Sequence, residues 1–79
     1  MLKLKIISPE KVIFNGEVDS LKVPGLQGSF EILTNHAPII SSLVKGEVEY
    51  KGKGESNKLS IVGGFVEVKK NEISLCVEI

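Results

Sequence analysis

A single cysteine, a single histidine and no surplus of charge leave this 79-residue chain few chemistries to perform. Cys76 has no internal partner, so no disulfide closes within the chain. Cys76 and His36 together fall short of the four ligands of a structural zinc site, so no metal and no cofactor are expected. Ten basic and ten acidic side chains cancel. No basic stripe favours nucleic acid, and no acidic block marks a disordered tail. No apolar run approaches the roughly 20 residues of a membrane-spanning helix. Residues 1 to 8 lack the apolar core and cleavage site of a signal peptide. A soluble, reducing compartment is expected, with a membrane reached only through a partner. The length fits one domain, residues 1–79. So short a chain buries a modest share of its surface, and without disulfide or metal a partner is the remaining supplement.

What is present is alternation. Leu2, Leu4 and Ile6 alternate with Lys3 and Lys5, as a half-buried strand requires. Ser8-Pro9 ends that strand, and Val12 and Phe14 begin the next. Asn15-Gly16 then gives the strongest short hairpin signal, with Glu17 to Val23 as the returning strand. Val18 and Leu21 lie three apart, so a bulge is expected near Asp19-Ser20. Pro24 and Gly25 fit the central positions of a type II turn, and Phe30, Ile32 and Leu33 a short strand. Thr34-Asn35-His36 reads as a polar corner, and Ala37-Pro38 as an extended exit. Ile39 to Leu43 is apolar, Lys45-Gly46 a tight turn, and Gly46 to Tyr50 a further strand. Lys51 to Lys58, polar and glycine-punctuated, is expected to be an exposed, mobile hairpin loop. Leu59, Ile61 and Val62 precede Gly63-Gly64, which reads as a kink or close backbone contact; Phe65, Val66 and Val68 follow. Lys70-Asn71 is a turn, and Ile73, Leu75 and Val77 alternate to the end. With no helical period and about eight strands, the fold class is all-β, a sandwich or barrel.

No catalytic constellation emerges. His36 has Glu31, Ser29, Thr34, Ser41 and Ser42 near it in sequence, but no nucleophile elbow. It is read as a corner residue bonding backbone groups or a partner. Cys76 falls on the face opposite Leu75 and Val77 and is read as structural. Lys51, Lys53 and Lys58, with Glu55 among them, read as a solvated loop. The carboxylates fall singly along strands, and no catalytic residue is assigned.

The order of motifs says more. I-S-P-E-K-V-I-F-N-G-E-V is followed by V-P-G-L-Q-G-S-F-E-I-L-T-N-H-A-P-I-I and then by I-V-G-G-F-V-E-V-K-K-N-E-I-S-L. The chain closely resembles the epsilon subunit family of F-type ATP synthase across essentially all 79 residues. Jointly specific are F-x-G-x-V, P-G-x-x-G-x-x-x-I-L, N-H-A-P and G-G-F-x-E-V. The resemblance implies a ten-stranded β-sandwich or flattened barrel of short antiparallel strands. It implies a non-catalytic subunit of the central stalk, linking gamma to the polar loops of the membrane c-ring. The catalytic alpha/beta hexamer would be reached only indirectly. The location implied is peripheral, on the cytoplasmic face of the bacterial inner membrane. Family positions facing gamma fall on Ser8, His36, Ala37, Pro38 and Ser41. Those facing the c-ring fall on Leu26, Gln27, Gly28, Ser29 and Phe30. Many members carry an acid where Ser29 stands. Members of the family typically continue into a C-terminal helical hairpin that regulates hydrolysis. The 79 residues end after the sandwich, so no such regulation is expected of them. The other readings are a generic sandwich adaptor for a soluble protein, which fails to bind gamma, and a small hydrolase built on His36, which loses turnover in His36→Ala.

Overall fold

Alternating apolar side chains and frequent turns produce strands and no helix in the computed structural model, which describes residues 1–79 throughout. The strands are β1 (Leu2–Ile7), β2 (Val12–Val18), β3 (Ser20–Gly25), β4 (Gly28–Leu33), β5 (Ile39–Leu43), β6 (Gly46–Gly52), β7 (Glu55–Ile61), β8 (Gly63–Lys69) and β9 (Glu72–Glu78). They form one curled sheet in the order β2-β1-β9-β8-β5-β3-β6-β7, with β4 added to β3. The all-β class holds, with nine strands rather than the ten expected. Nor is the sheet wholly antiparallel, because β1 and β9 run parallel, Leu4 beside Ile73 and Ile6 beside Leu75.

The curl brings two half-sheets face to face. One is β2-β1-β9-β8-β5 and the other β4-β3-β6-β7. They join where Gly25 pairs with Leu43 and the Val44 N–H donates to the Pro24 carbonyl at 2.9 Å. On the far side the Asp19 N–H donates to the Lys51 carbonyl at 2.6 Å. The Phe14 and Tyr50 rings meet nearby, 4.7 Å apart and tilted by 49°. Between the halves lie 15 buried apolar side chains. Leu4, Ile6, Val66, Val68 and Leu75 come from one half; Leu21, Val23, Ile32 and Val48 from the other. Burial of this apolar surface is the main favourable term holding the halves together.

Four local expectations are corrected. Asn15-Gly16 is not a hairpin turn but the middle of β2, where Asn15 pairs with Lys5 and Gly16 with Leu4. A Cβ on Gly16 would stand 3.2 Å from the Phe14 ring, so glycine serves packing there. The reversal occurs earlier, where the Ser8 N–H donates to the Lys11 carbonyl. Second, Asp19 carries no bulge but a break at which the chain leaves one half-sheet for the other. Third, Pro24-Gly25 closes β3, and the turn falls on Leu26-Gln27, with Gly28 at φ 124°. Fourth, Lys51 to Lys58 is mostly paired strand. Only Lys53-Gly54 turns, at φ 53° and 78°, the left-handed pair a two-residue hairpin loop demands.

Candidate functional site

Three surface regions bear on function. The first is the β3–β4 tip. Leu26 is 70% exposed, and Gln27, Gly28 and Ser29 are exposed beside it. Phe30 differs from the other four residues expected at a ring contact. It is half-buried and packs on the core, its ring filling the space a Cβ on Gly25 would need. It anchors the tip and also lines the groove beside it. The tip and Ile40-Ser41-Ser42 of β5 line a shallow groove of about 470 Å³. Ser41, expected with the gamma group, therefore sits beside the ring group.

The second region is the corner between β4 and β5. Asn35 takes the left-handed conformation, φ 66°. The His36 N–H donates to the Leu33 carbonyl at 3.1 Å. His36 Nδ1 lies 2.7 Å from the Ala37 carbonyl oxygen. A carbonyl only accepts, so in this pairing Nδ1 carries the proton and donates. The ring's hydrogen-bond partner is this backbone oxygen, not a carboxylate or hydroxyl. Ala37 and Pro38 are exposed beside it. Asn71, from the β8–β9 turn, accepts the Asn35 N–H on Oδ1 at 2.7 Å and donates from Nδ2 to Asn35 Oδ1 at 3.3 Å. This tie was not legible in the sequence, where the two residues stand 36 positions apart.

The third region is the outer face of the β2-β1-β9-β8-β5 half. Ser8 lies at its far end from the corner. The Lys3 N–H bonds to Asn71 beside the corner, and Ser8 lies five residue steps beyond Lys3, about 17 Å at the rise of a strand. The residues expected at gamma thus form no single cluster. At the Ser8 end this face carries an apolar row across the strands, read from the registers as Val12, Ile7, Cys76 and Phe65, ending at Ser42. Ile40 stands one row closer to the corner, opposite Glu67. Val12 is 54%, Phe65 48% and Ile40 74% exposed. The outward Phe65 had a sequence signal. Phe65 and Val66 are neighbours on one strand, and only one of them faces the core.

The outer face of the other half is tiled with charge. Glu31, Lys22, Glu49 and Lys58 follow one another across β4, β3, β6 and β7. The Ser56 hydroxyl donates to Glu49 Oε2 at 2.9 Å and holds that carboxyl below its ordinary value; Lys51, Lys58 and Lys22 act in the same direction. Alternating cross-strand charges of this kind suit solvent.

Comparison with known proteins agrees with this fold. The family model described as "ATP synthase, Delta/Epsilon chain, beta-sandwich domain" matches residues 1–79. An ATP synthase epsilon chain of Leptospira interrogans is 54% identical over 78 residues, 98% of this chain and 61% of that protein. One from Carboxydothermus hydrogenoformans is 42% identical over 72 residues, 91% of this chain and 54% of that protein. The chain thus spans little more than half the length of these relatives. Among solved structures, a chain of the Euglena gracilis mitochondrial ATP synthase superposes with a TM-score of 0.90 at 20% identity. It covers 96% of this chain and 49% of that one. A central stalk and c-ring structure of the Tetrahymena thermophila mitochondrial ATP synthase gives 0.85 at 18% identity, covering 99% of this chain and 63% of that one. At such identities the likeness concerns the fold.

Proposed function

The chain belongs to the beta-sandwich domain family of ATP synthase delta/epsilon chains, and from that premise we propose that it is a non-catalytic rotor piece joining gamma to the c-ring. The β3–β4 tip, Leu26 to Ser29, meets the polar loops of the ring. The outer face from Ser8 to the His36 corner meets gamma. The domain thereby transmits ion-driven ring rotation to the central shaft. It works peripherally, on the cytoplasmic face of the bacterial inner membrane, and performs no chemistry of its own.

The observation that carries this reading is the apolar row of Val12, Ile7, Cys76 and Phe65, with Ile40 beyond it, on a domain whose opposite face is tiled with charge. Contiguous exposed apolar side chains mark an interaction surface. A partner seated at Ser8 meets this row, and Ile40 lies between the row and the corner. Aromatic side chains at the centre of such a surface carry a large share of the binding energy. Phe65→Glu is therefore expected to weaken binding to purified gamma by at least about tenfold, or roughly 1.4 kcal/mol. Lys22→Glu, on the charged face, is expected to bind within twofold of the unmodified chain. The reverse pattern would assign gamma to the other face and refute the proposal.

A further inference from the structure

We propose that Asn71 is a positioning residue for the His36 corner, a clasp from the β8–β9 turn that sets where the corner's recognition groups stand. The inference rests on the reading that this corner meets gamma. The corner is short, running from Thr34 to Pro38 between two strands. The single backbone bond across it is His36 N–H to the Leu33 carbonyl. What ties it to the rest of the fold is Asn71. One side chain accepts the Asn35 N–H and donates to the Asn35 amide oxygen, so both ends of its amide engage one residue. The Asn71 carbonyl is held in turn by the Lys3 N–H at 2.8 Å. The clasp thus connects the corner to β1 and the β8–β9 hairpin together.

In a two-residue hairpin loop with left-handed backbone, asparagine is among the residues that take positive φ most readily. Here Lys70 takes it, at φ 59°, and Asn71 does not. From the second position of this turn the Asn71 side chain reaches across to Asn35. Proline stiffens only the exit of the corner. With the clasp closed, less freedom is lost when His36 docks.

The test uses the 79-residue chain and purified gamma. Asn71→Ala removes both bonds, whereas Asn71→Asp still accepts the Asn35 N–H. Asn71→Gly, which suits the turn, replaces Asn71→Ala if that variant fails to fold. In Asn71→Ala, the Asn35 amide is expected to lose its protection from hydrogen exchange while amides of β8 and β9 keep theirs. Gamma affinity is expected to fall five- to tenfold. Asn71→Asp should keep Asn35 protected and affinity within twofold. The proposal is overturned if Asn71→Ala binds like the unmodified chain while His36→Ala binds weakly, or if Asn71→Asp is as impaired as Asn71→Ala. It is also overturned if Asn35 exchanges freely in the unmodified chain. If His36→Ala leaves affinity unchanged, the corner is not the gamma contact; the positioning role falls with it, and the exchange of Asn35 reports the clasp alone.

Discussion

Replacing Gly64 by alanine is expected to cost the domain a large part of its stability, whereas the same change at Gly63 is expected to cost almost nothing. Gly64 takes φ 152°, and a Cβ there would run into the carbonyl of Cys76 and the Cα of Val77 on the neighbouring strand. Those atoms are backbone of the β8–β9 ladder, where Gly64 pairs with Val77, one pair in from the ladder's end. No rotamer change relieves the contact, so the strands must part locally. Overpacking costs about 1–3 kcal/mol, and an alanine in glycine's backbone region adds to that. We expect about 3 kcal/mol in urea denaturation, and a Tm lower by about 12–24 °C at 4–8 °C per kcal/mol for a domain this size. Total stability of such a domain is about 4–12 kcal/mol, so the loss is conspicuous. At Gly63 the nearest atom to an added Cβ is the Leu43 carbonyl, 3.8 Å away, an ordinary contact. Gly63→Ala should fall within about 0.5 kcal/mol of the unmodified chain. If Gly64→Ala unfolds at the unmodified midpoint, or the two variants behave alike, the close approach of β8 and β9 is refuted.

Leu75→Ala, at a fully buried site between the halves, should cost about 2–5 kcal/mol; a loss below 1 kcal/mol in the same titration would mean the core collapses around it. Ser56→Ala should let the Glu49 carboxyl rise towards its ordinary value, read by carboxyl-carbon NMR titration. The sign follows from the depressed folded value. The stabilisation is present above the unfolded value, is lost as pH falls through the folded one, and is smaller in Ser56→Ala. An unmoved Glu49 titration in that variant would show that the lysines alone are responsible. Ser29→Glu, at the exposed tip, should change stability by less than about 0.5 kcal/mol in thermal unfolding, since nothing buried depends on it.

The strands were legible because their apolar side chains alternate and every second one is buried. Leu2, Leu4 and Ile6 show this most simply, and Ile73, Leu75 and Val77 repeat it. Reversals were less legible. Asn15-Gly16 carries a hairpin signature, yet the Phe14 ring accounts for its glycine, and pairing with β1 overrides the local preference. Pro24-Gly25 fails as a turn for the same kind of reason, with Phe30 packed against the glycine. The parallel neighbours β1 and β9 are the two ends of the chain, and no local pattern announces a pairing of such sequence separation. Of the candidate site, the motif order singled out residues that lie at the β3–β4 tip and the β4–β5 corner. The apolar row beside Ser8 exists only once four strands stand in register. The clasp likewise depends on a turn far along the chain.

The most direct test is a hydrogen-exchange footprint of the 79-residue chain assembled on purified gamma and c-ring. The account predicts two separate protected regions. One covers β5, β8 and the corner at His36 and appears with gamma alone. The other covers Leu26 to Ser29 and appears only when the ring is present. Protection confined to the charged face of β6 and β7, or no added protection with gamma at saturating concentration, would contradict it.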